Sequence, residues 1–370
     1  MKTTKHLAGA ALAALTIGLA LPVAAEELRI ASGTVSKNAL NGGMDKFAAL
    51  IEEKTGGAYT GKTFPGTLLT FAEMLNGVRD GVVDVGFNIP AYARAEFPQT
   101  NLLSDMSTAS SEPLVMLGAI NEYMFTCGEC LSEFAAMNHV FMGFAPLGPY
   151  YLMSNDPIAS LEDFKGKSIR GVGPFGRWVE AMGGKSVVVT ASDVYEALNQ
   201  GQLDGNTQGL DTLKSQSFGE IVDYVTNVPI GLYLGSAMYD VNRDRWNGLS
   251  DDHKRAFLDA AAEGLAWTTI NYYAENAIFL EDPSLGGVEL VEPDAALAAA
   301  SEKFQQEDLD TVASMAVEKG IADAPARVEV LRALVQKWEG LVAGIDPKDD
   351  AAVADLLKRE VFDKIDASAI

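Results

Sequence analysis

Arg170 is one candidate in this sequence to hold an anion, or else a surface salt-bridge partner. A guanidinium stays charged, and its rigid fork of donors matches the edge of a carboxylate or a sulfonate; lysine would supply the charge without that geometry. Arg170 falls in an expected strand over residues 168–172, leading into Gly171-Val172-Gly173-Pro174-Phe175-Gly176. That stretch reads as a tight turn into a helix N-terminus, whose free backbone N–H groups would reinforce an anion site. It also matches the G-x-G-x-x-G pattern of dinucleotide folds. The pattern belongs on the opening strand of a βαβ unit with an acid about 20 residues on, and Pro174 and Phe175 hinder close approach of a pyrophosphate. No cofactor is expected. Arg177, further along the same helix, reads as an ordinary surface charge. Tyr150, Tyr151, Trp178 and Tyr233 are candidates to wall a cleft, each of them also a candidate for core. Gln208 and Asn88 are candidates to hydrogen-bond the far end of a bound anion.

The charge balance makes an oriented arginine matter. The chain of 370 residues carries 28 basic and 51 acidic side chains, a net charge of −23. Nucleic acid and anionic lipid are poor partners for such a field, and a small anion needs a local cation to overcome it. Two cysteines are present, in Cys127-Gly128-Glu129-Cys130. A zinc site would need further ligands, yet there is no second cysteine pair, and beyond the N-terminal leader only His139 and His253 remain. A local structural disulfide is the expected role of Cys127 and Cys130 if the chain is exported. No metal is expected.

Export is read from the N-terminus. Lys2 and Lys5 precede an apolar run over residues 7–21, and Val23-Ala24-Ala25 places small residues where a signal peptidase cuts. Residues 1–25 are therefore expected to be a leader cleaved after Ala25. The run is short for a membrane span. The 345 residues that remain exceed the size at which one core usually stops growing, so two lobes are expected.

The elements that must position these residues alternate between strand and helix. A strand is expected over 27–33, a helix carrying Met44, Phe47, Ala48 and Ile51, a second helix opened by Thr70 and Glu73, and a strand over 82–87. A related unit recurs 120 residues on: Glu73, Gly81 and Asp84 align with Asp193, Gly201 and Asp204. Ser192 is expected to cap the second unit's helix. Two lobes of similar plan would set Phe87-Asn88-Ile89-Pro90 and Asn206-Thr207-Gln208 on opposite sides of one cleft, beyond the carboxyl ends of their strands. Ser250, with Asp251 and Asp252 behind it, opens a long helix expected to run to about residue 279, and the last 80 residues read as mostly helical. The expected fold is α/β, with two lobes facing across a ligand cleft. Lobe I takes 26–147 with 237–279, and lobe II takes 148–236 with 280–370.

Three segments resemble the extracytoplasmic solute receptors of TRAP transporters, the dicarboxylate-binding or DctP type. They are Phe64-Pro65-Gly66-Thr67 followed by Glu73-Met74-Leu75 and Gly81-Val82-Val83-Asp84; Leu161-Glu162-Asp163-Phe164-Lys165-Gly166-Lys167-Ser168-Ile169-Arg170; and Ser192-Asp193-Val194-Tyr195-Glu196-Ala197-Leu198 running into Leu203-Asp204-Gly205. The resemblance implies a two-lobed periplasmic binding protein with a long helix spanning both lobes. It implies a receptor rather than an enzyme, with Arg170 on the substrate carboxylate. The implied partners are a small organic acid and the small and large membrane subunits of a TRAP permease, and a monomer is expected. Sialic-acid receptors of this type carry a second cleft arginine and an asparagine where Tyr150 and Gln208 stand here, which argues against that substrate. A hydroxy or keto acid, an aromatic acid or a small sulfonate each fits the candidate residues. A sensory receptor is the alternative role. A periplasmic enzyme is disfavoured by the lack of a histidine cluster or a G-x-S-x-G turn.

Overall fold

A computed structural model describes residues 25–34, 38–368 and 370. The expected leader thus lies outside the described residues, apart from Ala25. Among the described residues no helix is long and apolar enough to cross a membrane.

The chain opens with β1 (Glu26–Ser32), α1 (Ala39–Lys54), β2 (Tyr59–Pro65), α2 (Phe71–Arg79) and β3 (Val85–Asn88). Helices α3 (Pro98–Asp105), α4 (Pro113–Thr126) and α5 (Gly128–Ala136) lead to β4 (His139–Val140). A second sheet then begins with β5 (Leu147–Ser154), β6 (Ser168–Arg170), α6 (Pro174–Ala181), β7 (Lys185–Val187), α7 (Val194–Asn199), β8 (Gly205–Gly209), α8 (Thr212–Ser215) and β9 (Tyr224–Tyr233). Residues 234–236 return the chain to the first sheet as β10 (Ala237–Asn242), followed by α9 (Arg243–Asn247) and α10 (Asp251–Glu281). Strand β11 (Glu289–Val291) and helices α11 (Ala295–Glu318), α12 (Ala324–Val342) and α13 (Asp350–Glu360) complete the order. The sheets run β2-β1-β3-β10-β4 and β11-β9-β5-β8-β6-β7. This is the expected two-lobed α/β architecture.

Helix α10 spans both lobes. Ser250 Oγ accepts from His253 N–H at 3.2 Å, and two aspartates fill the first turn, where they oppose the helix dipole. Its 31 residues rise about 46 Å. Near its start, Phe257 packs edge-on against Phe47 of α1. Near its end, Phe279 joins the core of the second sheet with Val225 and Leu213.

The repeat seen in the sequence is repeated in its hydrogen bonds. Asp84 N–H donates to Arg29 O at 2.9 Å, and Arg29 N–H donates to Asp84 Oδ2 at 2.8 Å. In the second lobe Asp204 N–H donates to Ser168 O at 2.8 Å, and Ser168 N–H donates to Asp204 Oδ2 at 2.7 Å. Each aspartate thereby ties the start of its strand to the neighbouring parallel strand. Gly81 and Gly201, the turn residues before them, have φ of 70° and 67°, a region that costs other residues steric strain. The next pairings correspond too: Ala31 lies opposite Gly86, and Arg170 opposite Asn206. Arg170 therefore stands where the first lobe has Ala31. Asp204→Ala is expected to strand the Ser168 N–H and lower stability by about 1–3 kcal/mol. A reduced urea midpoint with unchanged slope would show it; an unchanged midpoint would count against the tie.

The last helices depart from the expected allocation. Residues 280–370 were assigned to lobe II, and β11 does join that sheet beside β9. Helix α12, however, packs on α4, and α13 packs on α10 and α4. Their anchors are long-range: Trp338 Nε1 donates to Glu122 at 2.8 Å, and an added Cβ at Gly118 would strike the Trp338 ring, so only glycine admits this approach. Sequence periodicity marks an apolar helix face without naming the surface that covers it. Cys127 and Cys130 are joined as a disulfide at the α4–α5 junction, with Arg327 of α12 donating to Cys127 Sγ at 3.4 Å.

Candidate functional site

A cavity of about 380 Å³ lies between the lobes. From the first lobe it is lined by Gly33, Thr34, Asn38 and Leu40, by Phe71 at the start of α2, and by Phe87, Ile89 and Tyr92 around the end of β3. The second lobe contributes Tyr150, Arg170, Val172, Phe175, Gln208, Asp211 and Tyr233, among others, and α10 adds Tyr272. Of the residues singled out from sequence, Arg170, Gln208, Tyr150 and Tyr233 meet at this cavity.

Arg170 is 5% exposed. Its Nε donates to Val189 O and one terminal nitrogen to Thr207 O, both at 3.2 Å, while Thr207 Oγ1 donates back to Arg170 O at 2.9 Å. Backbone oxygens hold the guanidinium in place. Among the described residues no carboxylate stands within ion-pair distance of it, although the chain carries 51 acidic side chains. Its charge is thus left to act on the cavity. Gln208 Oε1 accepts from Asn206 Nδ2 at 3.2 Å, which leaves the Gln208 Nε2 hydrogens as donors on the same wall.

The aromatic side chains form a layered wall. Tyr150 lies 4.5 Å from Phe175 and parallel to Tyr233 at 6.2 Å, centroid to centroid. Phe71 meets Phe87 edge-on at 5.1 Å. Burial holds the Tyr150 and Tyr233 hydroxyls well above their usual titration range, against the pull of Arg170, so both remain protonated donors. The Tyr233 hydroxyl is buried without a hydrogen-bond partner among the described residues.

Asp211 is the feature that sequence reasoning missed. It follows two residues after β8, is 5% exposed, and accepts from Tyr272 Oη at 2.7 Å, Ser215 Oγ at 3.1 Å and Asn38 Nδ2 at 3.3 Å. Burial raises its pKa, and those hydrogen bonds work against the rise. Its place just past a strand's carboxyl end was the available signal. Tyr272 offered none, since it comes from mid-helix about 60 residues later.

Several expectations fail for identifiable reasons. Side chains alternate across a strand. Phe87 and Ile89 face the cavity, so Asn88 between them does not; its Nδ2 donates to buried Asp240 at 2.9 Å, beside His139. By the same rule Tyr150 faces the cavity and Tyr151 enters the second-lobe core. Trp178 is fully buried, with Nε1 donating to Ser301 Oγ of α11 at 2.9 Å, and it does not line the cavity. Arg177 is no free surface charge: it grips the buried Asp308. Ser192 lines the cavity instead of capping α7, whose N-cap is Asp193. The glycine pattern after Arg170 serves packing. A Cβ at Gly171 would come within 2.6 Å of Gly176 N, and Gly173 has φ of 57°.

Residues 30–314 match the DctP family model, bacterial extracellular solute-binding protein family 7. The chain belongs to the DctP family. Among related proteins, this DctP receptor is 28% identical over 271 residues to the C4-dicarboxylate-binding periplasmic protein DctP of Rhodobacter capsulatus, covering 70% of this chain and 79% of that one. A TRAP periplasmic solute-binding protein from Bordetella bronchiseptica, solved with bound (R)- and (S)-mandelate, superposes with a TM-score of 0.68 at 25% identity, over 84% of this chain and 99% of the other. A marine metagenome TRAP solute-binding protein specific for aromatic acid ligands, solved with 3-hydroxybenzoate, shares the fold at a TM-score of 0.74 and 19% identity, over 85% and 99% of the two chains. DctP proteins are periplasmic solute-binding proteins of TRAP transporters and work with membrane permease subunits. This DctP chain is such a receptor.

Proposed function

We propose that this receptor binds a small organic monoanion with a ring-sized apolar body, holds its carboxylate on Arg170, and delivers it to a TRAP permease after export and cleavage behind Ala25. The observation that carries the reading is a buried guanidinium with no acidic partner among the described residues, set in an aromatic-walled cavity. Gln208 Nε2 and the tyrosine hydroxyls supply further donors, and Val172 and Phe175 bring the start of α6 to the same wall. Mandelate in the Bordetella bronchiseptica protein is a ligand of the same kind.

A thermal-shift screen of the purified mature chain against aromatic and aliphatic acids, with matched sulfonates, tests this. A ligand present at about 100 times its Kd stabilises by roughly 2.7 kcal/mol, a visible melting shift. Aromatic carboxylates are expected to give the largest shifts. A screen in which only sulfonates, or only acids without a ring, shift the transition would reject the reading.

A further inference from the structure

We propose that Asp211 reads a hydrogen-bond donor on the solute, so that this receptor prefers acids bearing a hydroxyl or ammonium group over the plain acid and over a dicarboxylate. The inference rests on the Arg170 reading above and deepens it. The cavity is lined by a guanidinium, Arg170, and a carboxyl group, Asp211, and among the described residues the two are not paired with each other. Asp211 takes hydrogen bonds from Asn38, Ser215 and Tyr272, each of which also lines the cavity, so the carboxylate sits at the cavity edge. Those three partners come from the start of α1, from α8 and from α10, which fixes the carboxylate relative to both lobes. Oδ1 accepts the Tyr272 hydroxyl and Oδ2 the Ser215 hydroxyl and the Asn38 amide, with the Asn276 side chain also favouring the charged carboxylate.

A fixed carboxylate in a buried cavity discriminates in two ways. It gains a strong hydrogen bond from an O–H or N–H group on the solute. It repels a second carboxylate, and among the described residues no second cation lines the cavity to meet it. A plain acid offers Asp211 no donor and forgoes that added hydrogen bond, the difference by which polar sites favour analogues carrying the matching group.

The test titrates phenylacetate, mandelate, phenylglycine, 3- and 4-hydroxyphenylacetate and phenylmalonate into the mature chain by calorimetry. At least one donor-bearing acid is expected to bind about tenfold or more tighter than phenylacetate, and phenylmalonate more weakly than phenylacetate. In Asp211→Asn that preference is expected to fall below about threefold. Asp211→Ala provides the stronger removal; should it fail to fold, D211N decides. A wild-type preference near unity overturns the inference, as does a preference that survives both substitutions. Arg170-dependent binding of phenylacetate with no donor preference sinks this inference alone. Failure of every phenyl acid to bind sinks the ring-acid reading and this inference with it.

Discussion

Arg170→Ala is expected to weaken binding of the best acid by about 100-fold or more, because truncating one partner of a buried charge pair costs about 2–5 kcal/mol. The loss has two parts. The carboxylate forfeits a pair of charge-assisted hydrogen bonds, and it remains buried without a counter-charge in a strongly acidic protein. No other cation lines the cavity among the described residues. Arg170→Lys restores charge without the fork and should recover part of the affinity, leaving a deficit of about tenfold. Arg170 also donates to Val189 O and Thr207 O, so unliganded stability must be measured beside the titration, and a loss of about 1–2 kcal/mol is expected there. An affinity within about threefold of wild type would remove Arg170 from the binding machinery.

The second large effect lies outside the cavity. Asp308→Ala is expected to destabilise the fold by about 3 kcal/mol. Asp308, 2% exposed on α11, accepts from Arg177 Nε at 2.7 Å, from a second Arg177 nitrogen at 2.9 Å and from Thr108 Oγ1 at 3.0 Å. Arg177 belongs to α6, the helix that follows Arg170, and also donates to Asp105 O at 2.8 Å. One carboxylate thus fastens the second lobe's α6 to the segment around α3 and α4. Its removal leaves a mostly buried guanidinium whose one remaining counter-charge among the described residues is Asp105, 3.9 Å away. Denaturant unfolding of D308A, R177A and the double variant forms a cycle, with a coupling of about 1–3 kcal/mol expected. Strictly additive losses would show that the two side chains do not act as a pair.

Sequence reasoning reached the features that local rules govern. Ser250 with two aspartates set the start of α10, and the acid–glycine–aspartate repeat marked two equivalent units, because capping and turn conformation depend on neighbours a few residues away. Arg170 was singled out chiefly because the segment Lys165-Gly166-Lys167-Ser168-Ile169-Arg170 resembles the DctP receptors, and the glycine turn and helix start after it agree with that placement. Trp178, Asn88 and Arg177 were misplaced because each depended on a partner more than 100 residues distant: Ser301, Asp240 and Asp308.

The amino-acid sequence by itself pointed to two α/β lobes and a long helix joining them, since hydrophobic period, caps and glycine turns act over short range, and its resemblance to the DctP receptors pointed to Arg170. Only the tertiary structure decided what stands around that arginine. Asn38, Asp211 and Tyr272 become neighbours through the pairing of β8 with its sheet and the crossing of α10 between the lobes. Arg170 owes its lack of an acidic partner among the described residues to where the folded chain puts its many carboxylates, a matter of long-range packing that no spacing along the chain expresses.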